Sequence, residues 1–316
     1  FIVGGAGYIG SHMVKYAYQS GYDVVTLDNL STGYRDSVKY GNFEFCELND
    51  QDRLDALFKK YCPDAVVHFG GASIVSESMM DPHKYYVNNV LGTLNLLNSM
   101  VKNNCLRIIF SSSASIYGNP EYCPIDENHP KKPINPYGKS KLMAEQIIED
   151  YDIAFGLKYI IFRYFNAAGH DIDGELMERH DPETHLLPLI MKAAKGESYS
   201  VNIFGTDYNT KDGTCIRDFI HVQDICDSHL KGLELILHKG SEFVSNCFNI
   251  GSSMGFSVNE VISKVKSQIG KDFKVIIRPR RHGDPAELVA SNIKAKELLN
   301  FSPKFTKIED IIRTLL

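Results

Sequence analysis

The sequence predicts an α/β fold, a doubly wound parallel sheet with a smaller C-terminal domain, on three observations. A glycine-rich turn joins an apolar strand to a helix at the start of the chain. Short β-branched runs alternate with helical patterns through the first half, as in βαβ units. After Asn166 that alternation gives way to loop-rich sequence.

In chain order, Phe1-Ile2-Val3 reads as the first strand and Gly4-Gly5-Ala6-Gly7-Tyr8-Ile9-Gly10 as the turn, leading into a helix over 10–20. Gly4 allows the tight turn, Gly7 allows close approach of a ligand to the backbone, and Gly10 lets the helix pack on the strand. Unpaired N–H groups at the positive end of the helix then suit a pyrophosphate. Residues 24–27 form the second strand, closed by Asp28 about twenty residues beyond the glycines, where an acid bonds an adenosine ribose and repels a 2′-phosphate. The pattern favours NAD over NADP in a Rossmann fold; the plainer alternative is a Gly-rich turn followed by an ordinary strand-end Asp.

Further strands are expected over 43–46, 65–69, 106–111 and 158–164, and helices over 52–61, 82–103 and 136–155. The strands end in polar or Gly-rich tips: Asp28-Asn29, Phe69-Gly70-Gly71, Ser111-Ser112-Ser113 and Phe165-Asn166. Ligands of such sheets bind beyond those carboxyl ends. Residues 167–185 read as loop, 203–222 carry turn chemistry, and 278–290 are basic and Gly/Pro-marked. The expected division is therefore a dinucleotide domain over 1–165, with some return of later segments, and a substrate domain over 166–316 that closes over the cleft.

Composition narrows the function classes. Lys and Arg number 34 against 39 Asp and Glu, a net charge of −5, which argues against a nucleic-acid partner. No apolar run of about eighteen residues exists, so no membrane span is expected. Seven cysteines, odd in number and without a C-x-x-C pair, read as reduced thiols of a cytoplasmic protein. No signal peptide is evident; the chain opens inside its first strand without a Met, so its natural N-terminus is expected upstream.

A second motif carries chemistry. Asn135 is a good N-cap and Pro136 a good first helical residue, which places Tyr137 and Lys141 one turn apart on one helix face. A phenol with an ordinary pKa of about 10 is a poor base at neutral pH, and a neighbouring ammonium favours the phenolate. Such a pair moves a proton on and off an alcohol. Among seventeen tyrosines this is the single Tyr-x-x-x-Lys, and it follows the Ser111-Ser112-Ser113 strand by one βα step. A serine there donates to the same substrate oxygen; the alternative is a surface Tyr and a solvated Lys. His12 and His68 invite a metal or catalytic reading, but His68, inside a strand, reads as a core histidine. His185, His221 and His229 lack ligand spacing with one another, so no metal is expected.

These motifs resemble the extended short-chain dehydrogenase/reductases: the glycine turn through Ser11-His12, Leu27-Asp28-Asn29-Leu30, His68-Phe69, Asn88-Asn89-Val90, Ser111-Ser112-Ser113-Ala114 and Tyr137-Gly138-Lys139-Ser140-Lys141. Arg163-Tyr164-Phe165-Asn166, Pro182-Glu183-Thr184-His185-Leu186, Asp212-Gly213-Thr214-Cys215-Ile216-Arg217-Asp218 and Pro279-Arg280-Arg281-His282-Gly283-Asp284-Pro285 resemble the UDP-glucose 4-epimerases within them. The resemblance implies an enzyme that keeps NAD bound and interconverts UDP-galactose and UDP-glucose by transient oxidation at sugar C4. It makes Tyr137 the base, Ser113 its partner at the oxygen, and Lys141 the group that lowers the tyrosine pKa and holds the nicotinamide ribose. It implies cofactor contacts from Gly4, Gly7, Tyr8, Ile9, Gly10, Asp28, Asn29, Glu47, Leu48, Phe69, Gly70, Asn88, Ser111, Tyr137, Lys141 and Phe165.

For the UDP-sugar it implies Ser113, Asn166, His185, Leu186, Phe204, Arg217, Arg281 and Asp284. Arginine forks suit a pyrophosphate, although Arg–Asp pairing within 278–284 is the plainer reading, and Phe204 suits a core position nearly as well as a uracil stack. A homodimer through helices 82–103 and 136–155 is also implied, with Val87, Val90, Leu91, Leu94, Leu97, Met143, Ile147 and Ile148 as its apolar residues. Departures occur at Glu47-Leu48, where the family has Asp and an apolar residue; at Ser73, where some members carry Lys; and at Val3, where Thr is usual. Leu288 takes the place of the residue gating the sugar pocket, which disfavours N-acetylated sugars. Two rivals remain. A nucleotide-sugar 4,6-dehydratase needs a carboxylate pair after the serine strand, where Ala114-Ser115-Ile116-Tyr117 offers none. A non-catalytic NAD-sensing protein would have no use for the Tyr/Lys pair.

Overall fold

The architecture grows outward from one strand. The structure is a computed structural model that describes residues 1–238, 243–281 and 283–316; His282 of the Pro279–Pro285 motif lies outside them. The first half runs β1 (Ile2–Val3), α1 (Tyr8–Gln19), β2 (Val25–Asp28), β3 (Asn42–Phe45), α2 (Gln51–Tyr61) and β4 (Val66–His68). It continues with α3 (Val75–Met80), α4 (Pro82–Tyr85), α5 (Gly92–Lys102), β5 (Arg107–Ser113), α6 (Pro136–Phe155) and β6 (Lys158–Tyr164). From β1 the sheet extends one way through β2 and β3, and the other way through β4, β5 and β6. All of these pairs are parallel. The reversal between β1 and β4 opens the crevice in which such sheets bind ligands.

Successive residues of a strand face opposite sides, so each face builds its own core. On one face Ile2, Val67, Ile109 and Ile160 pack with Met13 and Val14 of α1. On the other Val3, Val66, Ile108 and Ile161 pack with Leu54 and Phe58 of α2, Leu96 and Met100 of α5, and Ile148 of α6.

The second half adds β7 (Asn166–Ala168), α7 (Leu186–Lys195), β8 (Ser200–Phe204), β9 (Ile216–His221), α8 (Val222–His238) and β10 (Asn246–Ile250). After these come β11 (Gly255–Ser257), α9 (Val258–Ile269), β12 (Lys274–Arg278), β13 (Glu287–Leu288), α10 (Ile293–Leu299) and α11 (Ile308–Thr314). The chain returns to the large sheet here: β10 pairs in parallel with β6, and α8 contributes Ile225, Leu233 and Ile236 to the first core. Strand β9 lies between β11 and β13 and also pairs with β7, while β8 pairs with β12. Leu187 and Ile190 of α7, Val261 and Val265 of α9, and Ile308, Ile311 and Ile312 of α11 pack beneath these sheets.

Three expectations change. The helix expected over 82–103 is broken by a π-helical stretch, Tyr86–Leu91. There Asn89 bonds Ala72 and Ser140 through its side chain, and its carbonyl accepts the Thr93 hydroxyl at 2.6 Å. Such widened turns collect at functional sites. The turn chemistry expected over 203–222 contains β9, because its strand state comes from partners up to about seventy residues away in sequence. In the apolar stripe, Leu97 and Ile148 belong to this chain's own core, whereas Leu91 and Met143 are exposed. No helix among the described residues is long and apolar enough to cross a membrane.

Candidate active site

The glycine turn has the shape its sequence requires. Gly4 has φ +74°, and a Cβ there would fall 2.6 Å from the Gly70 nitrogen. A Cβ on Gly10 would fall 2.1 Å from the Gly4 carbonyl oxygen, so α1 packs directly on the turn. Gly7 is different. A Cβ there would meet nothing closer than Gly4 oxygen at 3.4 Å, so the chain's own packing does not demand glycine; the outer face of the turn is simply left open. That open cradle, at the N-terminal end of α1, fits a dinucleotide pyrophosphate. We expect Gly10→Ala to force the turn open, destabilise the protein by about 1–3 kcal/mol and release bound dinucleotide, as thermal melting and the absorbance of the purified protein will report.

Asp28 is nearly buried, and its carboxylate accepts the Ala6 N–H at 2.9 Å and the Leu30 N–H at 2.7 Å. Burial pushes its pKa up and these two bonds oppose the rise. It therefore braces the glycine turn, and spare lone pairs remain for a ribose. Gly33 escaped the sequence reading although it belongs to the same construction. A Cβ there would fall 2.7 Å from the Ala6 carbonyl carbon, and the next residue, Tyr34, donates to Ala6 oxygen. Its signal was a Gly closing a polar turn after a strand-end acid.

The other cofactor candidates divide. Phe69 and Gly70 donate to Val3 oxygen, which fixes the tip of β4 beside Gly4. The Tyr8 hydroxyl donates to Gly169 oxygen and Ile9 packs on the core. Asn29 accepts the Ser31 N–H, Leu48 packs on Gly92, and Glu47 is exposed. Asn88 is half-buried on the π-helical stretch, next to the fully engaged Asn89.

Ser113 ends β5 and Tyr137 opens α6, whose start is fixed by Asn135 Oδ1 accepting the Gly138 N–H at 2.8 Å. Burial pushes the Tyr137 phenol up, and a hydrogen bond from Ser113 works against that rise. Lys141 is buried, 2.9 Å from Ser111 oxygen and 4.9 Å from the centre of the Phe110 ring. Burial pulls its pKa down to about 8, with Glu145 opposing. The ammonium is held beneath the strand end by Ser111, and desolvation dominates at Tyr137. Gly71, at φ +145°, passes so close that a Cβ would fall 3.7 Å from Lys141 Nζ.

A buried polar network beneath this constellation was not foreseen. Glu145 takes two bonds from Arg163, at 3.0 and 2.8 Å, and one from the Ser112 hydroxyl. Arg163 donates to the Tyr117 hydroxyl at 3.0 Å, and Tyr117 donates to Asn249 Oδ1 at 2.7 Å. The network joins β5, α6, β6 and β10.

On the substrate side, one small sheet carries several candidates. Asn166 of β7 is in register with Phe219 of β9, and Leu288 of β13 is in register with Arg217 of β9. Leu288 and Phe165 each pack against the cluster of Ala114, Ile116, Tyr117 and Ile125. Arg217 donates to Ile216 oxygen. Arg281 pairs with Asp284 at 2.9 Å, the plainer of the two expected readings, and its guanidinium also covers the Phe204 ring at 4.6 Å. His185 caps α7 beside Leu186, with its Nδ1 2.9 Å from Glu183 and 3.1 Å from Glu178. His68 is buried, 3.1 Å from the Thr93 hydroxyl, and burial pulls its pKa down to about 3.

Comparison with known proteins places this geometry. A family model for the NAD-dependent epimerase/dehydratase family matches residues 1–251. A UDP-glucose 4-epimerase of Halalkalibacterium halodurans is 42% identical over 98% of this chain and 92% of its own. The crystal structure of UDP-glucose 4-epimerase from Brucella ovis in complex with NAD is 45% identical, with a TM-score of 0.94, over 99% of this chain and 95% of that one. The Bifidobacterium longum enzyme, crystallised with NAD⁺ and UDP, is 35% identical over the same shares, also with a TM-score of 0.94. A glycine turn braced by a buried Asp, the Ser113/Tyr137/Lys141 grouping and near end-to-end likeness lead to one conclusion: the chain belongs to the NAD-dependent epimerase/dehydratase family, among its UDP-glucose 4-epimerases.

Proposed function

We propose that the protein is an NAD-dependent epimerase that interconverts UDP-galactose and UDP-glucose by transient oxidation at sugar C4. The observation that carries this is Ser113 at the end of β5 and Tyr137 in the first turn of α6, with Lys141 one turn further on, buried and bonded to Ser111 oxygen. Tyr137 takes the proton from the sugar 4-hydroxyl, and Ser113 donates to the same oxygen and holds it in line. Lys141, fixed by Ser111, reaches the nicotinamide ribose. Gly4, Gly7, Gly10 and Asp28 hold the dinucleotide along the first βαβ unit, with Tyr8, Ile9, Asn29, Glu47, Leu48, Phe69, Gly70, Asn88, Ser111 and Phe165 along its length. When bound, NAD supplies a reversible hydride acceptor for C4, so the cycle involves no net oxidation.

Asn166, His185, Leu186, Phe204, Arg217, Arg281 and Asp284 face the UDP moiety in this reading, with the arginine forks at the pyrophosphate. The division follows the function: 1–165, joined by α8 and β10, holds the cofactor, and the rest of 166–316 holds the nucleotide sugar. A homodimer through the helical segments 82–103 and 136–155 is supported by exposed Leu91 and Met143. The seven free cysteines support a cytoplasmic setting.

Proton NMR of UDP-galactose with the purified protein tests the reading. Appearance of UDP-glucose, converging on one mixture from either sugar, is the expected result. A 4-keto-6-deoxy product would make the protein a dehydratase, and no change even with added NAD would point to another nucleotide sugar or a non-catalytic role. Leu288 bears on substrate range. A half-buried leucine packed against Ala114, Ile116, Tyr117 and Ile125 is expected to narrow the sugar side, so UDP-N-acetylgalactosamine should turn over at least about tenfold slower than UDP-galactose in parallel rate measurements.

A further inference from the structure

Residues 171–185 lie across the glycine turn and α1. Lys15 of α1 bonds Asp171 and Asp173 at 2.7 Å, the Arg179 guanidinium covers the Tyr34 ring at 3.8 Å, and the His180 ring meets Tyr8 edge-on at 6.1 Å. At the far end of this segment, Glu178, His180, Glu183 and His185 turn their ligating atoms toward one another, all within 4.8 Å. Nitrogen and oxygen alternate around the group. Glu178 Oε1 is 3.4 Å from His180 Nδ1 and 3.1 Å from His185 Nδ1. Glu183 Oε2 is 3.6 Å from His180 Nδ1, and its Oε1 is 2.9 Å from His185 Nδ1. We propose that these four side chains form a site for a divalent transition-metal ion of the zinc class.

The dimensions match. Four ligands held tetrahedrally at about 2.0–2.1 Å from an ion have edges of about 3.3–3.4 Å; the four carboxylate–imidazole distances run from 2.9 to 3.6 Å and every ligating atom lies within 4.8 Å of the others. Hydrogen bonding accounts for only part of the cluster: His185 Nδ1 bonds Glu183 Oε1 at 2.9 Å, whereas both Glu178 carboxylate oxygens and His180 Nδ1 are buried with no hydrogen-bond partner among the described residues. The Glu178 side chain is 1% exposed, and an anion in that position needs a cation. Two carboxylates and two neutral imidazoles balance a double positive charge. The Thr184 and His185 N–H groups bond Glu183 Oε1 at 2.8 Å and orient it, the arrangement ligating carboxylates use. Access is from the half-exposed His185 side, and coordination through Nδ1 leaves its other ring nitrogen for the UDP-sugar. Mixed imidazole and carboxylate donors favour zinc-like ions over magnesium, which demands octahedral oxygen. The ion pins the end of the segment that covers the glycine turn.

The full-length protein, stripped with chelator and dialysed, is titrated with zinc chloride by calorimetry. One ion per chain is expected, undisplaced by excess Mg²⁺, with affinity reduced by about 100-fold or more in Glu178→Gln and in His180→Ala. X-ray absorption of the zinc-loaded unmutated protein should show nitrogen and oxygen at about 2.0 Å and no sulfur at about 2.3 Å. Absence of stoichiometric binding, unchanged affinity in folded Glu178→Gln, or a sulfur shell that moves the ion to cysteines such as the exposed Cys62 and Cys123 would each overturn the site. Should either variant fail to fold, the absorption spectrum decides alone.

Discussion

Tyr137→Phe is expected to lower the epimerisation rate by about 10²–10⁴, the range a positioned proton-transfer group contributes. The substitution removes one oxygen and keeps the ring that meets Tyr85 edge-on at 6.2 Å, so melting temperature and dinucleotide content should stay close to those of the parent. KM should change little, because the lost interaction belongs to the transition state. Burial raises the Tyr137 pKa, and a base that starts protonated gives a rate that climbs with pH as the phenolate fraction grows. Ser113→Ala removes the group opposing that rise, so its profile should shift to higher pH. Initial rates by NMR across pH check all three statements; full activity in Tyr137→Phe would remove it as the base.

Breaking the pair of Glu145 and Arg163 is expected to cost about 3–5 kcal/mol. Both side chains are essentially inaccessible, at 0% and 1% exposed. Glu145→Gln leaves the guanidinium in a low-dielectric interior with one strong acceptor weakened, and Arg163→Met strands the carboxylate. Each should lower the melting temperature by roughly 5–15 °C. Joint replacement by apolar residues should cost less than the sum, since neither charge is left unpaired. A second effect reaches the active site. Glu145 is the group that raises Lys141 against its burial, so Glu145→Gln should move the Lys141 titration below about 8. Calorimetric melting and the pH–rate profile separate the two effects. A melting temperature unchanged in both single variants would mean that the network is not what holds α6 to β5 and β6.

Local chemistry made much of the molecule readable from the sequence. Helix α6 has the expected bounds because both ends are set within a few residues, by Asn135 capping Gly138 and by Gly156 at φ +71°. Strand β6 was found because its middle, Ile160-Ile161-Phe162, is buried on both faces and continuously apolar. Gly4 and Gly10 were legible because a positive φ and a helix–turn contact each admit only glycine. The Tyr137–Lys141 spacing followed from helix geometry alone.

What the tertiary structure decided concerns atoms brought together from distant segments and the water removed around them. Strand β9 exists because β7, β11 and β13 supply its hydrogen bonds, so its own residues read as turn. The π-helical stretch follows from Asn89 bonding Ala72 and Ser140, 17 and 51 residues away. Asp28 became a brace for the glycine turn through Ala6, 22 residues earlier. Helix spacing placed Lys141 beside Tyr137, yet the protonation of both is governed by burial, and no local pattern reports how completely a fold will exclude solvent. By itself the sequence determined the turns, the caps and the order of catalytic groups, because these depend on backbone geometry over a few residues; the tertiary structure alone decided charge states and partners, because desolvation and long-range hydrogen bonds exist only once the chain has closed on itself.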